Sequence, residues 1–113
     1  MESYIRHQKD VEYKQNPKHI EVYGQVLSPE KENGRLSAHR TTVKVGGEIV
    51  PHIHDVLEVI YVLEGEGLAL VNGERVKAVP GTIVAANIGS EHGFKNTGDK
   101  DLVLFCVFSP GIA

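Results

Sequence analysis

The stretch Gly46-Gly47-Glu48-Ile49-Val50-Pro51-His52-Ile53-His54-Asp55-Val56-Leu57-Glu58-Val59-Ile60-Tyr61-Val62-Leu63-Glu64-Gly65 places two histidines one residue apart, then a glutamate, then an aliphatic run that closes on a glycine. Side chains alternate along an extended strand, so His52 and His54 point to the same side and can meet one ion with bonds of roughly 2.0–2.2 Å. Glu58 shares their parity but lies beyond Asp55, so a turn has to return it to that side. Ile60 and Val62 then continue the same face with apolar side chains. A carboxylate among such neighbours is costly to bury without a cation. His92, some thirty residues on, is the fourth candidate ligand. His7, His19 and His39 fit no ligand pattern and read as surface or hydrogen-bonded core histidines.

Outward from this stretch the chain is a series of short β-rich runs punctuated by 12 glycines and 5 prolines. Strands are expected at Ile20 to Leu27, Ala38 to Val45, Leu57 to Glu64, Leu68 to Val71, Arg75 to Val79, Thr82 to Ala86 and Asp101 to Phe108, with a short one near His92 to Lys95. Asn72-Gly73 between two such runs is a hairpin signal, because a type I′ turn needs positive φ at both central residues. The runs Val59 to Leu63 and Leu102 to Phe108 are apolar on both faces, so one face can line a barrel interior and the other meet a partner. Arg40, Thr42 and Lys44 alternate with Thr41, Val43 and Val45, and the sequence leaves open which side faces inward. The pattern is that of an all-β sandwich or barrel.

Composition narrows the function. At 113 residues the chain forms one domain. Twelve basic against fifteen acidic residues give a net charge of −3, which offers no footprint for a nucleic acid. The longest apolar run, Leu102 to Phe108, has seven residues against the roughly twenty that span a bilayer, so no membrane association is expected. With no signal-like segment after Met1, the expected location is the cytoplasm. Cys106, the single cysteine, excludes intrachain disulfides and thiolate-rich metal modules and reads as a small core residue.

The spacing of the glycines and ligands carries a resemblance. Gly46, His52, His54, Glu58 and Gly65 follow G-x5-H-x-H-x3-E-x6-G. Gly81, Gly89, His92 and Asn96 follow G-x5-P-x-G-x2-H-x3-N, with Asn87 at the proline position. Through these two motifs the sequence resembles the cupin superfamily, in its small single-domain cupin 2 conserved-barrel form. The resemblance implies a small antiparallel jelly-roll β-barrel holding a metal ion inside through His52, His54, Glu58 and His92. It divides the chain into residues 1–36, an N-terminal arm and first strand packed on or exchanged with a partner barrel, and residues 37–113, the barrel itself. A homodimer is therefore expected.

Three imidazoles and one carboxylate suit one divalent transition-metal ion per chain, whether manganese, iron, nickel, cobalt or zinc. Four protein ligands leave positions open for water or a chelating small molecule. The expected interior, with Ile60, Val62, Leu70, Val84, Phe94 and Phe105 around the site, is apolar and small. These features support an enzyme on a small organic molecule, such as a dioxygenase or decarboxylase. The alternatives are an isomerase or lyase using Glu64, Glu66 or Lys44 as base, and a non-catalytic module that binds or senses a small ligand. No catalytic residue beyond the metal ligands is identified from the sequence, and no organic cofactor is expected.

Overall fold

In the computed structural model, which describes residues 1–113, the tight hairpin comes where the sequence places it. Asn72 (φ 48°) and Gly73 (φ 84°) join β5 (Gly67–Val71) to β6 (Glu74–Ala78), with Val71 opposite Glu74. Seven further strands complete the fold: β1 (Lys14–Gln15), β2 (Ile20–Ser28), β3 (Ser37–Ile53), β4 (Leu57–Glu64), β7 (Ile83–Ala86), β8 (Glu91–Asn96) and β9 (Leu102–Ser109). Every pairing is antiparallel, in the order β6-β5-β8-β3-β9-β4-β7, with β2 and then β1 added beside β3. The curled sheet is the all-β jelly-roll barrel that the motifs imply, and its only helical segments are two three-residue 3₁₀ turns.

The main departure from the sequence reading is β3. The expected strand stops at Val45, yet β3 runs 17 residues, from Ser37 to Ile53. Gly46, at φ 78°, turns the strand without ending it, a conformation cheap only for glycine. Residues 37–43 pair with β9, and residues 48–53 pair with β8. One bent strand thus serves both halves of the barrel, and the bend carries His52 from the first half into the second.

Alternation about this frame fixes the inside. Val43, Ile60, Val62, Ala69, Phe94, Leu104 and Phe108 point inward and pack with Val22, Ala78, Val84, Leu102 and Cys106 as one core. Phe94 and Leu104 are almost wholly buried, each worth about 1.5–3 kcal/mol of transfer free energy. Phe105 does not line the interior as expected, since it alternates with the inward Leu104 and Cys106; Leu70 is buried as expected, but it alternates with Ala69 and Val71 and lies outside the main core cluster. Arg40 and Lys44 lie on the outer side of the strand, Arg40 opposite Phe105 and Lys44 bonding Asp101 at 3.3 Å, while Thr42 between them is buried. The inward side of that strand is Ser37, His39, Thr41 and Val43, so the interior is more polar than the sequence reading allows.

Of residues 1–36, β2 joins the barrel by pairing with β3. Val22 contributes to its core, the Gln25 side-chain amide donates to the carbonyls of Gln8 and Val11, and Arg6 pairs with Glu32. No helix is long and apolar enough to cross a membrane.

Candidate metal centre

His52 ends the bent half of β3 and lies opposite His92 of β8 in the ladder. The His52 Nδ1–H donates to the Val50 carbonyl at 2.7 Å, and the His92 Nδ1–H to the Ser90 carbonyl at 3.1 Å. A carbonyl can only accept, so both rings carry their proton on Nδ1 and turn Nε2 inward as a lone-pair donor. His54 follows in the β3–β4 turn, its carbonyl accepting the Gly89 N–H at 3.0 Å. The same turn returns Glu58 to the inside of β4, as the parity argument requires, where it is buried.

The four side chains named from the sequence therefore converge: one ligand atom from each of His52, His54, Glu58 and His92 lies within 4.8 Å of the others. Their mutual contacts are informative. His92 Nε2 is 2.7 Å from Glu58 Oε1, and His52 Nε2 is 2.9 Å from His54 Nε2. With neutral rings, the first contact sets lone pair against lone pair in a buried pocket, which only a proton or a cation between them makes favourable. A donor set of three nitrogens and one oxygen with inward lone pairs fits a divalent metal ion.

The electrostatics agree. Burial alone lowers the pKa of His92, but the Glu58 carboxylate and the Ser90 carbonyl outweigh it and hold the ring above its ordinary value. Burial, then the neighbouring His52, pushes His54 down and keeps it neutral and available as a ligand.

Two histidines that the sequence reading set aside stand close to this cluster. The His19 ring centroid lies 5.2 Å from that of His52. His39 faces into the barrel, 5.0 Å from Phe108, whose other neighbour at 5.5 Å is His54. Nothing in the local sequence marks His19. His39 shares parity with Val43, and that parity became readable only once Val43 was known to face inward.

The proton of His39 can be assigned. Ser37 is fully buried; its Oγ accepts the Ile112 N–H at 3.0 Å and lies 2.7 Å from His39 Nε2, its only available acceptor. The hydroxyl thus donates to Nε2, and the neutral ring carries its proton on Nδ1. No buried side-chain nitrogen or oxygen lacks a partner, so His39 Nδ1–H, which bonds to no protein group, reaches solvent. His39 lines a cleft of about 560 Å³ beneath the N-terminal arm, together with Glu12, Lys14, Gln15, Asn16 and Gln25. Beside His39 the inner wall continues with Thr41 and Cys106, whose thiol lies 3.9 Å from the Thr41 hydroxyl. Burial pushes that thiol far up, so it is no nucleophile. Of the bases considered from sequence, Lys44 points outward, and Glu64 and Glu66 are exposed around the β4–β5 turn, at the far end of β4 from Glu58.

Comparison with known proteins follows the same lines. The cupin-domain family model matches residues 39–108, the span that holds all four clustered side chains. The chain belongs to the cupin family. Among curated cupin relatives, the L-ectoine synthase of Vibrio campbellii is 34% identical over 82 residues, covering 72% of this chain and 64% of that enzyme. That of Aliivibrio fischeri is 35% identical over the same length and coverage. The chain thus spans a little under two thirds of these relatives. Solved cupin barrels superpose on nearly the whole chain. The polyketide cyclase RemF from Streptomyces resistomycificus gives a TM-score of 0.83 at 24% identity, covering 96% of this chain and 80% of that one. The ectoine synthase from P. lautus gives 0.82 at 23%, covering 98% and 80%. At such identities the structural likeness speaks for the fold alone.

Proposed function

We propose that this cupin binds one divalent transition-metal ion through His52, His54, Glu58 and His92 and uses it to act on a small polar organic molecule in a lyase-type reaction. The observation that carries the reading is the convergence of four ligand atoms within 4.8 Å, with the Nε2 lone pairs of His52 and His92 turned inward. Bound there, a divalent ion supplies Lewis acidity toward a carbonyl or carboxylate oxygen. The protein's own part is positioning and exclusion of water. His39 Nδ1–H, fixed by Ser37, offers a donor to a second oxygen of the molecule from the cleft side. Phe108 stands between His39 and His54 and bounds the space apolarly. The choice of reaction class rests on the L-ectoine synthases among the relatives. The dioxygenase and decarboxylase readings have shared fold alone on their side.

The test is metal content, then chemistry. Protein prepared without added metal is analysed for bound ions, reloaded with manganese, iron, cobalt, nickel or zinc, and offered L-ectoine and a panel of small carbonyl acids. A mass change in the ligand that needs both the ion and an intact His54 supports the reading. Binding without any product favours the ligand-sensing alternative, and failure to take up any of the ions refutes the metal site.

A homodimer belongs to the same proposal. Tyr61, Leu63 and Ile83 are 43%, 42% and 64% exposed on the outer face of β4 and β7, where Tyr61 lies opposite both Phe105 and Ile83. A sedimentation mass of one chain at micromolar concentration overturns this part.

A further inference from the structure

We infer that His19, in the loop between β1 and β2, is an outer positioning residue of the metal centre that aims His52 through the backbone of Val50; the inference rests on the metal site proposed above. The β3–β8 ladder slips between Ile49–Phe94 and His52–His92, which leaves Val50 and Pro51 without paired residues on β8. Pro51 has no N–H, but the Val50 N–H and C=O both need partners. Two imidazoles take them. The Val50 N–H donates to His19 Nδ1 at 3.1 Å, and the Val50 carbonyl accepts the His52 Nδ1–H at 2.7 Å.

The arrangement has a definite chemical sense. A backbone N–H can only donate, so His19 Nδ1 is unprotonated and its proton sits on Nε2. The Val50 N–H lies in the Ile49–Val50 peptide and the Val50 carbonyl in the next one, Val50–Pro51; anchoring the first at His19 restrains the backbone torsions of Val50 that aim the second, and that carbonyl in turn fixes both the tautomer and the ring direction of His52. His19 thus sits two hydrogen bonds behind the metal-facing Nε2 of His52, and their rings stand 5.2 Å apart. The bulge has support from below: an added Cβ on Gly93 would lie 2.6 Å from the Ile49 carbonyl oxygen and 3.2 Å from the Pro51 nitrogen, so only glycine lets β8 approach this closely. Without an acceptor at position 19, the Val50 N–H turns toward water and the backbone at Val50, which carries the carbonyl that aims His52, loses its anchor. The centre is therefore completed from residues 1–36 as well as from the barrel.

The test compares His19→Leu with His19→Asn in the full chain. Asparagine Oδ1 occupies nearly the place of His Nδ1 and can accept the Val50 N–H, whereas leucine cannot. Cobalt(II) serves as probe, with affinity taken from titration and ligand geometry from its visible absorption spectrum. His19→Leu should weaken cobalt binding about ten- to a hundredfold and alter the spectrum, the range seen when outer-shell partners are lost. His19→Asn should stay within about threefold of wild type with an unchanged spectrum. On a His52→Ala background the leucine change should have no further effect on affinity, because the residue it acts through is gone. Circular dichroism of the metal-free variants confirms that they are folded; if the leucine protein is not, His19→Gln, whose acceptor sits one bond too far out, replaces it. Wild-type affinity in His19→Leu, equal weakening in both single variants, or a full loss that persists without His52 each overturns the inference while leaving the four-ligand site standing. Wild-type protein that takes up no cobalt overturns the site and this inference together.

Discussion

Binding of an ion by residues drawn from three strands and a turn must stabilise the fold, and by an amount that can be worked out. His52, His54 and Glu58 lie within seven residues of one another, but His92 is 34 positions beyond Glu58 and reaches it only across the closed barrel. The unfolded chain therefore cannot present the full set, and the ion binds the native state preferentially. At a free ion concentration of 100 times Kd, the native state gains about 2.7 kcal/mol. A chain of 113 residues has an unfolding entropy of about 0.24 kcal/mol/K near its midpoint. The melting temperature should therefore rise by about 11 °C. The assay is differential scanning calorimetry of metal-stripped protein with each of manganese, iron, cobalt, nickel and zinc. His54→Ala removes one ligand from an open turn without touching the core, so at the same ion concentration it should lose most of the rise. A wild-type shift below about 2 °C with every ion, or an equal rise in His54→Ala, would refute the reasoning.

Burial lowers the pKa of His39, against an opposing pull from Glu58, so the ring stays neutral in the folded protein while the unfolded chain protonates near the usual 6.5. Stability from this group is complete above that value and falls as pH drops below it, at no more than about 1.4 kcal/mol per pH unit. His39→Gln, which keeps an acceptor for the Ser37 hydroxyl, should flatten the acid limb of melting temperature against pH; an unchanged limb speaks against a buried neutral His39. Cys106 is 3% exposed with its thiol pKa pushed well up by burial, so it should resist iodoacetamide in the native protein and react fully in denaturant. Rapid native labelling contradicts its placement. Gly93→Ala should cost about 1–3 kcal/mol by driving a methyl group into the backbone at Ile49 and Pro51, and should weaken metal binding as well. Unchanged stability and metal affinity would count against the close packing of that bulge.

The sequence by itself determined the class of fold and the four clustered side chains. Alternation places His52 and His54 on one side, and the spacing of glycines around them carries the family resemblance, because tight turns and ligand parity are local properties of the chain. Only the tertiary structure decided what depends on which strand lies beside which. The bend at Gly46, which lets β3 continue to Ile53, needs a partner on each half of the strand, and those partners, β9 and β8, are far apart in sequence. The inward face of residues 37–43 could not be read from alternation alone, since a strand polar on one side can turn that side either way; pairing with Leu104 and Cys106 turned His39 and Thr41 inward and Arg40 and Lys44 out. His19 gave no local sign because its partner is the backbone N–H of Val50, 31 residues away, and a backbone group looks the same at every position of the sequence. A free N–H in a bulge exists only once two strands have paired out of register, so the residue that satisfies it is chosen by the fold.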